Sequence, residues 1–209
     1  MTRKETYLQF LDHTLIRQEE AVVCIHIVRN IRSHQDQKTN KEDRPDSIGW
    51  HGNALLLRTG IEAIATCPVD LPTLEPRGAI SADLAIGASR LRIIGMHLDL
   101  SGLRRRHQAM AIAAHCASRA DDMPTVLMGD LNEWSTSGGV IGEFGRSFSV
   151  LSPGRSFHAR RPVAQLDRIM HSDGIDVLDC GVHHSALAAR ASDHLPVWAD
   201  IRLSARPAR

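Results

Sequence analysis

The chain has 209 residues, a formal net charge of +1 and a 43% apolar composition, enough for one sizeable globular domain with its own core. The near-neutral balance argues against an obligate nucleic-acid coat protein, which would be strongly basic, but not against a nuclease with a local basic rim. Aromatic residues make up only 4%, too few for an extended base-stacking platform.

From the amino terminus, Tyr7, Phe10, Leu11 and Leu15 recur at helical spacing, and Ala21–Val28 reads as a strand. Residues 33–47 are polar and charge-dense with one proline, the composition of a mobile loop. Residues 53–57 and 61–66 read as two strands of a hairpin-like pair. Residues 79–86 alternate and read as a strand, followed by another over 91–97. Residues 103–118 are alanine-rich and basic at the start, which predicts a helix. A short buried strand covers 125–128, and the Gly- and Ser-rich stretch 135–145 reads as a loop. Further strands are expected over 147–151, 166–171, 176–182 and 196–201, and the apolar run 163–166 also reads as a strand ending at Asp167. Many strands around one central helix suggest a mixed sheet or two stacked sheets.

Four short polar motifs fall at the ends of apolar runs: Met96-His97-Leu98-Asp99, Gly129-Asp130-Leu131-Asn132, Leu166-Asp167-Arg168-Ile169 and Ser192-Asp193-His194. Strand ends on one rim of a sheet can bring distant carboxylates, amides and imidazoles together. That inventory suits a hard divalent cation with an acid–base histidine beside it. Asp130 and Asn132 lie two residues apart, so in an extended chain their side chains point the same way; an Asx turn closing the strand is the plainer alternative. His97, paired with Asp99 in the same spacing, could donate a proton or hydrogen bond to a phosphoryl oxygen, or be structural. Asp193 and His194 face opposite sides of the chain, one toward a metal and the other toward substrate. Asp167 could orient the imidazole, or pair at the surface with Arg168.

Other features carry less. The four cysteines, Cys24, Cys67, Cys116 and Cys180, have no CxxC spacing, which argues against a zinc knuckle and for incidental thiols in a reducing compartment. No run is long and apolar enough for a bilayer span, and the first residues lead into no signal core, so a cytoplasmic location is expected. His183 and His184 are adjacent and in a strand would face opposite ways. Arg104, Arg105 and Arg106 open the predicted helix as a phosphate grip or a solvated face. Trp134 could touch substrate or pack. Arg155, Arg160 and Arg161 are candidates for substrate selection.

Taken together and in this order, the blocks Gly52-Asn53-Ala54, Glu75-Pro76-Arg77-Gly78, His97-Leu98-Asp99, Gly129-Asp130-Leu131-Asn132, Leu166-Asp167-Arg168-Ile169 and Ser192-Asp193-His194 resemble the endonuclease/exonuclease/phosphatase superfamily. The resemblance covers residues 50–203. It implies an α/β fold, a four-layer sandwich of two mixed β-sheets packed face to face and flanked by helices. It implies a divalent-metal-dependent hydrolase of phosphoesters, phosphodiesterase- or nuclease-like, using Mg2+ or Mn2+. Its substrate would be a nucleic acid, a phospholipid head group or a small phosphate ester, and a monomer is expected. By resemblance, His194 activates water, Asp167 is its carboxylate partner, and Asp130 and Asn132 position nucleophile and phosphate. Asp193 and Asp130 bind metal, while His97 and Arg77 contact the phosphate. The family normally opens with a strand ending in Asn and another ending in Gln-Glu, whose glutamate is a principal metal ligand. Residues 1–49 read as an atypical amino-terminal segment in which neither piece is recognisable, and residues 50–209 as the family domain. Asn30 is not followed by the expected helix, and Glu19 and Glu20 precede an apolar stretch instead of closing one. The chain would then be a truncated form of an active enzyme, an impaired homologue that binds a phosphate ligand or a protein, or an enzyme with a substitute acid.

Overall fold

Strands dominate because short runs of Val, Ile, Leu and Met alternate with polar residues or are apolar throughout. The computed structural model describes residues 12–18, 21–28, 52–58, 60–73, 77–119 and 121–204. In chain order these form β1 (Asp12–Gln18), β2 (Ala21–Val28), β3 (Gly52–Leu57), β4 (Glu62–Val69), β5 (Gly78–Ile86), β6 (Ser89–His97), α1 (Gly102–Ala117) and β7 (Thr125–Asp130). There follow α2 (Gly139–Phe144), β8 (Ser149–Leu151), β9 (Asp167–His171), β10 (Ile175–Val182), α3 (Ala188–Ala191) and β11 (Val197–Leu203).

The strands make two mixed sheets, ordered β10-β11-β1-β2-β3 and β4-β5-β6-β7-β9-β8. Each contains one parallel pair, β1 with β11 and β6 with β7. The inner faces meet in one core, where Leu84, Leu91, Ile93, Met128 and Ile169 of the six-stranded sheet pack with Val197, Ala199 and Ile201 of the other. On its outer face the six-stranded sheet presents Ile94, Met96, Leu127 and Met170 to Ala109 and Ile112 of α1 and to Val140, Ile141 and Phe144 of α2. β7 is buried along its whole length because it is covered on both faces. The fold is the expected α/β sandwich of two mixed sheets packed face to face and flanked by helices. No helix among the described residues is long and apolar enough to cross a membrane.

Several local expectations need correction. β3 and β4 are not a hairpin; they lie in different sheets. Residues 163–166 are a loop, joined to its other limb by a Phe157–Ala164 bridge, and the strand begins only at Asp167. The Gly- and Ser-rich stretch contains α2, whose buried Val140, Ile141 and Phe144 supply an apolar face that its glycines masked. Leu15, assigned to a helical stripe, lies in strand β1; Tyr7, Phe10, Leu11 and residues 33–47 lie outside the described residues.

Candidate active site

Strand register assembles the site. Gly78 pairs with His97, His97 with Asp130, and Asp130 with Asp167, so one transverse row crosses β5, β6, β7 and β9 at a single end of the sheet. His97, Asp130 and Asp167 have the parity of Leu91, Ile93, Val126, Met128 and Ile169, which face the other sheet. All three side chains therefore emerge where the two sheets part. His194 sits just before β11, the strand of the facing sheet that lies against them.

Close approach of β6 and β7 requires a glycine at the last turn of the row. Gly129 has φ +144°, and a Cβ there would lie 1.9 Å from the Met96 carbonyl oxygen. Beyond the strand ends the ladder continues, with Leu98 N–H donating to the Asp130 carbonyl (2.9 Å) and Leu131 N–H to the Leu166 carbonyl (2.9 Å). Asn132 then adopts φ +50°. Its N–H donates to Asp130 Oδ1 (2.7 Å), and its side-chain Nδ2 to the Leu98 carbonyl (2.9 Å). The Asx turn that the sequence offers as the plainer alternative is present, and it fixes both side chains at the rim.

His194 Nδ1 lies 2.8 Å from Asp167 Oδ2, and both residues are buried. With a carboxylate at Nδ1, the neutral ring carries its proton there and presents its lone pair at Nε2. Nε2 faces Asp130 Oδ2 at 3.9 Å, and His97 Nε2 stands 3.4 Å from the same oxygen. Ligand atoms of Asp130, Asp167 and His194 all fall within 4.8 Å of one another, the one such acid–imidazole group among the described residues. Asp193, adjacent in sequence, is half-buried and outside that group; its carboxylate accepts from Ser192 Oγ (3.5 Å).

Two contributors escaped the sequence reading. Ser156 is fully buried and donates its hydroxyl to Asp167 Oδ2, the oxygen that also meets His194. Its backbone is held on both sides, N–H to the Ala164 carbonyl (3.0 Å) and carbonyl from Leu195 N–H (2.8 Å). Phe157 lays its ring 4.9 Å from that of His194 and 6.1 Å from Trp134. Nothing in a Pro-Gly-containing loop marks either residue, because both act through distant partners.

Several other motif residues make structural contacts. Asn53 Nδ2 donates to the Gly78 carbonyl (2.5 Å), which ties the second sheet to the segment carrying Arg77. Asp99 turns away from His97 and accepts Ser101 N–H (2.8 Å), while Gln108 Oε1 accepts its backbone N–H. Arg105 is buried, donating to the Leu100 carbonyl (2.6 Å) and pairing with Glu133 (3.5 Å), so it is no phosphate grip. Arg168 does not pair with Asp167 at the surface: it points to the opposite face, donates to the Gln165 carbonyl, and burial pushes its guanidinium pKa down. Arg155, Arg160 and Arg161 are exposed on the loop that carries Ser156.

The Endonuclease/Exonuclease/phosphatase family matches residues 5–194. This chain belongs to that family. The uncharacterized protein YbhP of Escherichia coli (strain K12) is 27% identical over 169 residues, covering 74% of this chain. The chain spans 64% of the length of that curated relative. An endonuclease/exonuclease/phosphatase of Bacteroides vulgatus shares the fold with TM-score 0.63 at 18% identity, over 73% of this chain and 70% of that one. The human Nocturnin catalytic domain, solved with a bound sulfate anion, matches with TM-score 0.62 at 18% identity, over 76% and 66% of the two chains. A mannosyl-6-phosphatase of Bacteroides thetaiotaomicron matches with TM-score 0.61 at 15% identity, over 72% and 71%.

β1 also bears on the family glutamate expected at a strand end. It runs parallel to β11, and its register proceeds from Thr14 opposite Val197 to Arg17 opposite Asp200. Its carboxyl end therefore leads away from His194 and does not close on the site.

Proposed function

We propose that this chain is a divalent-metal-dependent phosphoester hydrolase of the phosphodiesterase or nuclease-like kind. The observation that carries the reading is the buried His194–Asp167 contact at 2.8 Å, with Nε2 turned toward Asp130. In this reading His194 takes a proton from the attacking water at Nε2. Asp167 holds the ring in the Nδ1–H tautomer and stabilises the imidazolium that forms. Asn132 and His97 orient the phosphate, and His97 donates toward the leaving oxygen. Arg77, beside the Gly78–His97 pair, adds positive charge at the phosphate.

The donor chemistry fits a hard cation. Asp130 Oδ2 is an anionic oxygen facing two imidazoles, and magnesium binds through one or two carboxylates plus water and substrate oxygens. Asp130 would hold Mg2+ or Mn2+, with Asp193 offering a second carboxylate. A bound cation there neutralises phosphate charge and lowers the pKa of water.

The test is hydrolysis of bis-p-nitrophenyl phosphate with magnesium or manganese, run beside calorimetric titration of the metal alone. Turnover should require the metal and vanish in His194→Ala, and Asp130→Asn should abolish the binding heat. Equal rates for wild type and His194→Ala would defeat the proposal. Metal binding without turnover would favour an impaired homologue that binds phosphate ligands.

A further inference from the structure

Among the described residues, the end that holds the site also holds most of the exposed large apolar side chains. Nine large apolar side chains are exposed among the described residues. Five of them, Leu100 (62%), Leu103 (69%), Trp134 (64%), Val163 and Leu187, lie in segments that leave or enter the sheets at the catalytic end. Leu100 and Leu103 follow β6, Trp134 follows β7, Val163 precedes β9 and Leu187 precedes His194. Single exposed leucines are ordinary, but this concentration around one mouth is not.

Among the described residues, exposed charge in these segments is mostly positive. The same segments expose Arg106, Arg155, Arg160, Arg161 and Arg190. Their acids are withdrawn: Asp99 and Glu133 are buried and bonded, and Asp193 is half-buried. Among the described residues the exposed acid nearby is Asp70, out at the end of edge strand β4. The opposite end mixes signs, with Asp121, Asp122 and Asp173 beside Arg90 and Arg146. A chain of net charge +1 thus carries a cationic, apolar rim around its site.

We propose that this rim seats on an anionic phospholipid bilayer. Arginines neutralise the headgroup charge, while the leucines and Trp134 enter the boundary between headgroup and acyl chain. A nucleic acid would meet the arginines equally well, but it offers exposed aliphatic side chains far less apolar surface than an acyl-chain boundary does, since its interfaces are mainly polar and read by charge and stacking. The leucines and Val163 therefore decide between the two polyanions. Docked this way, the mouth opens onto headgroup phosphoesters; that last step rests on the phosphoesterase reading, whereas membrane binding does not.

The test uses vesicles of phosphatidylcholine alone and vesicles with roughly one-third phosphatidylglycerol. The full chain should co-sediment with the anionic vesicles and not with the neutral ones, with a blue shift of tryptophan emission that Trp134→Phe removes. Leu100→Ser with Leu103→Ser should weaken binding by about tenfold or more. Arg160→Gln with Arg161→Gln should weaken it by about tenfold. Met110→Ser, exposed in the middle of α1, should leave it unchanged. Circular dichroism and soluble-substrate turnover should match wild type in the leucine variant. The proposal fails if neither vesicle binds, if the leucine pair makes no difference, or if a single-stranded oligonucleotide binds more tightly than the anionic vesicles.

Discussion

Arg92 offers a test of the architecture that is independent of catalysis. It is 2% exposed on β6, directly opposite Asp83 of β5, on the face covered by α1. Its Nε donates to Asp83 Oδ1 at 2.7 Å, and its terminal nitrogen to Asp83 Oδ2 at 3.0 Å and to Asp121 at 2.9 Å. Arg119 adds one bond to Asp83 at 3.0 Å from a position nearer the surface. The Arg92 hydrogen bonds hold the Asp83 carboxyl below its ordinary range, against the opposing effect of burial. Arg92→Met removes the main partner and leaves a buried carboxylate with Arg119 alone, a loss of about 3–5 kcal/mol. Urea unfolding followed by circular dichroism should show the midpoint falling by about 1–2 M with little change in slope. Arg92→Met combined with Asp83→Leu should recover most of the loss, because no buried charge is then stranded. The pH dependence has a definite sign. The folded value of Asp83 lies below its unfolded 3.8, so in wild type its contribution is complete above that value and drains away as pH falls beneath it. In the variant burial dominates and penalises the charged form, so the gap from wild type should narrow as the pH approaches about 3. A single variant costing less than about 1 kcal/mol, or a double variant no better than the single, would refute the reasoning.

Asp167→Asn should lower kcat on bis-p-nitrophenyl phosphate by about 10²–10⁴ with KM little changed, since the His194 tautomer and the charge that stabilises its imidazolium are lost; an unaltered kcat would remove Asp167 from the mechanism. Ser156→Ala should lower kcat less, and Ser156→Thr, which keeps the hydroxyl, should restore it; equal rates in all three proteins would make the serine irrelevant. Gly129→Ala should cost more than about 3 kcal/mol in thermal or urea unfolding, because the new methyl collides with the Met96 carbonyl. A melting temperature within a few degrees of wild type would contradict the close β6–β7 approach. Burial pushes the Cys116 thiol up to about 11, so its modification at about pH 8, followed by peptide mass mapping, should be slow until urea is added.

The polar motifs were legible because each is a short contiguous string at a strand end. Met96 to Asp99, Gly129 to Asn132 and Asp167 to Ile169 carry both the apolar run that makes the strand and the polar residue that leaves it. What each string does was harder to read. His97 and Asp99 look equivalent in spacing, yet one joins the Asp130 row and the other caps the approach to α1. Arg104, Arg105 and Arg106 look like one basic cluster, yet Arg105 is buried against Glu133. Nothing in the sequence marks Arg92 and Asp83 as a buried pair, because burial of each charge depends on a partner nine residues away.

From the order of residues alone came most of the strands, the principal helix, the family resemblance and the polar motifs at the strand ends, since these depend on neighbours in the chain. Only the folded sheets decided that Gly78, His97, Asp130 and Asp167 share one row, that Ser156 completes the Asp167–His194 contact, and that the exposed leucines and arginines gather at one mouth. Register and sheet packing join residues separated by tens of positions, and no local pattern of hydrophobicity or spacing encodes which strand will lie beside which.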